Sequence, residues 1–221
     1  VNSLVLRELL EGNPARLRYV YRYSTSRVQQ QETVAEHSYY VALYALFVGR
    51  WVNEQMDLGK LAKPTWWGPA TDRVLVENLL QRALLHDLEE SRSGDFPRPF
   101  KHSSPELKEM LERASRISMD QVIRPIFGIP LNQDDEIDNG IADEFLMSWL
   151  DAKDATPEGR ILEFCDFLSV LSFMMQERGN HQIKRHVTDM QLYFERFGEK
   201  EYDFVRPLVD QAEVLLGEVF S

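Results

Sequence analysis

Three observations predict an all-α fold: apolar residues recur at three- and four-residue steps, prolines fall where helices would begin, and no convincing alternating strand pattern occurs. From Thr33 to Val52, the residues Val34, Tyr40, Val41, Leu43, Tyr44, Phe47, Val48 and Trp51 keep helical spacing with few charges, which predicts a central helix buried on most sides. A second helix is expected from Asp72, a good N-cap, to about Glu90, with Leu75, Leu79, Ala83 and Leu84 inward. Ser93 to Pro99 contains Gly94, Pro97 and Pro99 and reads as a turn or irregular loop. Ser104-Pro105-Glu106 combines a capping residue with proline at the first helical position and opens a helix through about Met119. Pro157 opens another, to about Arg178, with Ile161, Leu162, Phe164, Cys165, Leu168, Leu171 and Met175 inward. Two more helices are expected at roughly 182–197 and 201–219.

Two connections stand out. The stretch from Gln55 to Thr71 carries Pro64, Trp66, Trp67, Gly68 and Pro69 and is long for a loop; its tryptophans read first as anchors that pack it down. Asn132 to Asp138 is acidic without the downstream ligand spacing of a calcium loop, so it reads as a solvated turn.

With 221 residues the chain is expected to be a single domain, its core at about 15–180 and its last helices, about 181–221, packed on that core. Thirty-six acids against 25 Lys and Arg give a net charge of -11, which argues against a broad basic face for long nucleic acids. A small phosphorylated substrate stays compatible, because a bound cation reverses the local field. The lone Cys165 lies in an apolar stretch and reads as a buried structural thiol. The N-terminal residues lack the pattern of a signal peptide and no apolar run is long enough to span a bilayer, so a cytoplasmic protein without membrane attachment is expected.

The chemistry concentrates in apolar helices. His37 lies near the start of the most apolar one, His86-Asp87 follows Ala83-Leu84-Leu85, and Asp166 sits between Phe164-Cys165 and Phe167-Leu168. Burying such groups is costly unless they are paired or bound to a cation. If these helices pack together, His37, His86, Asp87 and Asp166 converge on one divalent ion. Mixed imidazole and carboxylate ligation suits Mn, Co, Fe, Zn or, less well, Mg. Glu90 lies four residues beyond His86 and three beyond Asp87, on the face turned toward such an ion, where a carboxylate would orient or deprotonate a bound water. Glu89, about 100° round the helix, reads as a surface residue, as do His102, His181 and His186. Glu163, one turn before Asp166, reads as its partner or as a salt-bridge residue.

Glu32-Thr33-Val34-Ala35-Glu36-His37-Ser38, then His86-Asp87 with Glu90, then Gly94-Asp95-Phe96-Pro97 and Asp166, resemble the signature of HD-domain phosphohydrolases, and within them the 5′-deoxynucleotidase-like branch. Leu17-Arg18-Tyr19-Val20-Tyr21-Arg22 is similar too, so the resemblance covers roughly residues 15–180. It implies an HD-domain helical bundle with a buried metal site, ligated by His37, His86, Asp87 and Asp166, with Glu90 as the water-activating group. It further implies Arg22, with Arg18 in competition, as a phosphate contact, Asp95 on the deoxyribose side and Lys101 near phosphate oxygens. The expected activity is release of phosphate from deoxyribonucleoside 5′-monophosphates by a homodimer. A dNTP triphosphohydrolase is the first alternative, and a non-catalytic nucleotide- or metal-binding regulatory module is the second. Glu90 speaks against the latter, since a binding module could dispense with it.

Overall fold

The computed structural model describes residues 4–68, 71–101, 103–131, 140–180 and 184–220. His102, His181 and the acidic stretch Asn132 to Asp138 lie outside them. The helices are, in order, α1 (Leu6–Leu10), α2 (Asn13–Arg16), α3 (Val34–Asp57), α4 (Val76–Leu85), α5 (Glu90–Ser93) and α6 (Arg98–Lys101). They are followed by α7 (Pro105–Ile126), α8 (Ile141–Leu150), α9 (Pro157–Gln176), α10 (Lys184–Phe194) and α11 (Arg206–Phe220). Among the described residues the extended pairing is a single antiparallel bridge between Tyr21 and Thr33. The fold is all-α, as expected. None of the described helices is long and apolar enough to cross a membrane.

The chain forms two compact units. The first comprises Val1–Thr25, Gln31–Ser38 and Leu85–Leu150; the second comprises Ser26–Gln30, Tyr39–Leu84 and Asp151–Ser221. In the first, Leu17, Val34, Leu85 and Leu88 bury against Met119, Val122, Ile123 and Ile126 of α7. Ser104 caps α7 as its position predicts, its hydroxyl accepting from the Leu107 N–H at 3.1 Å. That helix runs a further two turns past Met119, because its buried residues begin there. Helix α8 had no anticipated counterpart in the sequence; it contributes buried Ala142 and half-buried Trp149.

In the second unit, α9 is buried on almost every side and Thr156 caps it, accepting from Gly159 N–H at 3.2 Å. Phe167 and Phe197, both fully buried, lie 5.3 Å apart by ring centroids within an aromatic cluster that includes Tyr193 and Tyr202. Trp66 and Trp67 pack edge-on to Phe204 at 5.8 and 5.6 Å, which is the anchoring the loop's composition predicted. Helix α4 departs from expectation. It starts at Val76 rather than after Asp72, since the Val74 and Leu75 N–H groups donate to Asn53 and Glu158 side chains. Leu79 and Ala83 are fully buried, but Leu75 and Leu84 face solvent at 57% and 55% exposure. His186 is half-buried with Ser26 Oγ 2.5 Å from its Nε2, not a surface group.

Candidate metal centre

His37 owes its position to local chemistry at the start of α3. Thr33 and Glu36 form a reciprocal capping box: the Glu36 N–H donates to Thr33 Oγ1 at 3.2 Å, and the Thr33 N–H donates to Glu36 Oε2 at 2.8 Å. The exposed Glu36 is thereby committed to capping, and His37, one step round, is fully buried. The segment before α3 is clamped to Val20–Arg22 by the bonds Arg22 N–H to Glu32 O and Val34 N–H to Val20 O, at 2.9 and 2.8 Å.

His86 and Asp87 follow the last residue of α4, in a tight turn. Leu88 N–H reaches Leu85 O and Glu90 N–H reaches Asp87 O, at 2.9 and 3.1 Å, so i→i+3 bonds replace the helix expected to continue to Glu90. His37 Nε2 lies 3.4 Å from His86 Nε2 and 3.6 Å from Asp87 Oδ2, and His86 Nε2 lies 3.1 Å from the same oxygen. A triangle with these edges has a circumradius of about 2.0 Å, which is the length of a Zn–N or Zn–O bond. The donor set therefore fits one divalent cation, and among the described residues these three form the group whose ligand atoms lie close enough together to hold one.

Glu90 is buried, and Lys101 Nζ sits 2.8 Å from its Oε1. Burial and the neighbouring Asp87 push the Glu90 carboxyl well above the usual range against the pull of Lys101. For Lys101, burial lowers the pKa, but Glu90, Asp87 and Asp95 outweigh it and raise the ammonium's pKa. Asp95 follows Gly94, whose φ of +74° is left-handed and suits a residue without a Cβ. Arg22 is half-buried, its Nη1 at 2.9 Å from Glu32 Oε2 and 2.5 Å from His37 Nδ1. Arg18 lies exposed in the 3₁₀ turn Leu17–Tyr19. Asp166 belongs to the second unit, where Lys153 Nζ lies 2.5 Å from its Oδ2. Glu163 is a salt-bridge residue there: Arg196 lies at 2.8 Å, Arg160 at 3.4 Å, and the Tyr202 hydroxyl donates to it.

Glu89 corrects a surface expectation. The 100° helical step does not apply beyond Leu85, and the carboxylate turns inward to accept from Trp149 Nε1 at 2.9 Å. Burial, then the charge of Asp87, raises it to about 7 despite that bond. Glu32, buried beside Arg22, also had no role in the sequence reading. Its signal was its place at the head of the motif that ends in His37-Ser38.

The family model for 5′-deoxynucleotidase YfbR-like proteins matches residues 13–208, and the chain belongs to that family. No curated protein matches the sequence. Its fold is similar to that of the PH0347 protein from Pyrococcus horikoshii, with 17% identity, a TM-score of 0.66, and coverage of 96% of this chain and 99% of that one. An HD-domain phosphohydrolase from Listeria innocua, lin2634, shows 22% identity and a TM-score of 0.59 over 96% and 98%. The cyanophage S-2L HD phosphohydrolase DatZ, solved with dA and one catalytic Zn2+ ion, shows 21% identity and a TM-score of 0.59 over 93% and 95%. The chain is a metal-dependent hydrolase with the HD fold.

Proposed function

We propose, on the premise of that family membership, that the protein releases phosphate from deoxyribonucleoside 5′-monophosphates. The observation that carries this reading is the His37–His86–Asp87 triangle with buried Glu90 on the next turn. Asp166 is assigned as the fourth ligand, which would complete two nitrogens and two carboxylates on one ion; Mn or Co is favoured over Zn, Fe and Mg. The bound cation would supply Lewis acidity to a phosphate oxygen and a water of lowered pKa. Glu90 then holds or takes the proton of the attacking water, a role that its burial one turn beyond His86 and Asp87 supports. Lys101 offsets phosphate charge beside it, Arg22, in preference to exposed Arg18, takes a second phosphate oxygen, and Asp95 receives the sugar hydroxyl side.

The deoxynucleoside in the cyanophage relative supports a deoxynucleotide substrate here. The family match across both units supports their acting as one HD-type domain, and the form proposed for it is a cytoplasmic homodimer. The test is a screen of nucleotides by phosphate chain length, base and sugar with Mn2+ or Co2+ and product analysis. Inorganic phosphate from deoxynucleoside monophosphates is expected. Pyrophosphate or triphosphate from dNTPs would replace the monophosphatase reading, and no turnover with any divalent ion would remove it.

A further inference from the structure

Arg22 is held in a position that a metal-bearing His37 cannot tolerate. The guanidinium Nη1 lies 2.5 Å from His37 Nδ1, and guanidinium nitrogens carry donors only. In that contact Nδ1 is the acceptor, so the ring proton of a neutral imidazole is on Nε2. Yet Nε2 is the atom that faces His86 Nε2 and Asp87 Oδ2 at 3.4 and 3.6 Å, and a cation among those three donors needs its lone pair. With the lone pair on Nε2, the ring proton moves to Nδ1. Two donors then point at one another across 2.5 Å, and one has to leave.

An acceptor lies on the other side of the same guanidinium nitrogen. Glu32 Oε2 takes a hydrogen bond from Arg22 Nη1 at 2.9 Å, so the arginine lies between a buried carboxylate and the histidine. The backbone bonds Arg22 N–H to Glu32 O and Val34 N–H to Val20 O fix the two segments side by side. Metal-bound histidines commonly donate their second ring N–H to a carboxylate, which fixes the tautomer and raises the basicity of the ligating nitrogen.

We infer that Glu32 is a positioning residue: it holds Arg22 against His37 in the metal-free protein and accepts the Nδ1–H of His37 once a cation engages Nε2, releasing Arg22 from the ring. Arg22 is the residue assigned above to substrate phosphate, so cation loading also decides when it becomes available. The inference rests on the divalent-cation reading of the His37–His86–Asp87 triangle.

The test reads cation affinity without substrate, so it decides on Glu32 whether or not any nucleotide is turned over. Zn2+ is titrated by competition with a chromophoric chelator into the wild type, Glu32→Leu, Glu32→Gln and Arg22→Leu. Glu32→Leu is expected to lose about 10- to 100-fold in affinity, as other losses of outer-shell partners do. Glu32→Gln keeps a carbonyl acceptor and is expected to recover most of it, while Arg22→Leu removes a competing donor and binds at least as tightly as the wild type. Equal affinity in wild type and Glu32→Leu, or an Arg22→Leu loss as large as that of Glu32→Leu, would overturn the inference. Nitrogen-15 spectra of the wild-type His37 ring provide a readout independent of any variant. The proton is expected on Nε2 without metal and on Nδ1 with Zn2+, and an Nδ1 proton already present without metal overturns it equally.

Discussion

Glu90 in the first unit and Glu163 in the second are equally buried, each 4% exposed, and their surroundings are opposite. Glu163 is closed off by donors: Arg196, Arg160 and the Tyr202 hydroxyl all reach its carboxylate. Glu90 has Lys101, while Asp87 and Asp95 both raise its pKa and Glu89 stands next to it with its own pKa raised. A buried acid serving structure is neutralised within the fold. Around Glu90 the neighbouring acids oppose its ionisation, on the turn that also presents His86 and Asp87, which is where a cation would be favoured.

The largest separation between the two acids should appear in rate. Glu90→Gln is expected to keep bound metal and lose about 10²- to 10⁴-fold in kcat, measured by phosphate release at saturating metal. Loss of metal in parallel with rate would mean that Glu90 is a ligand rather than a proton-handling group. Glu163→Ala should do the reverse, costing about 3–5 kcal/mol of unfolding free energy in denaturant titrations by leaving Arg160 and Arg196 without their acid, with metal affinity unchanged.

A smaller effect follows from Glu89. Its folded pKa of about 7 lies above the usual 4.5, so the folded chain binds more protons than the unfolded one between those values. Stability contributed by this group is therefore lost as pH rises through that window. In chelator-treated protein, Glu89→Gln should gain in Tm relative to the wild type on going from about pH 5 to about pH 8, whereas a constant difference would contradict the raised pKa. The two helix caps give the finest comparison. Ser104→Ala removes one bond to Leu107 N–H and should cost about 1 kcal/mol. Thr156→Ala should cost more, because its hydroxyl also contacts Asp154 and takes a bond from Arg82 at 3.0 Å.

Much of this was legible in the sequence where local rules govern. Helices α3, α7 and α9 follow from apolar spacing, and the caps at Ser104 and before Pro157 follow from short-range hydrogen bonding. His37, His86 and Asp87 were recognisable as costly groups in apolar frames, and they meet. Glu89 and the exposed Leu84 were not recovered, because a regular helix was extended through residues that instead turn on i→i+3 bonds. Helix α8 was missed, and with it Trp149, whose bond to Glu89 joins residues 60 positions apart and leaves no periodic trace. Glu32 stood in the motif but showed its use only once Arg22 was seen against it.

Titrating Mn2+ into the wild type and Asp87→Ala, while following phosphate release from a deoxynucleoside 5′-monophosphate, tests the metal centre most directly. One equivalent bound by the wild type with turnover rising in proportion, and neither in Asp87→Ala, is the predicted result. Saturable binding and full turnover in Asp87→Ala would show that the cation sits elsewhere and that the His37–His86–Asp87 triangle is not the catalytic centre.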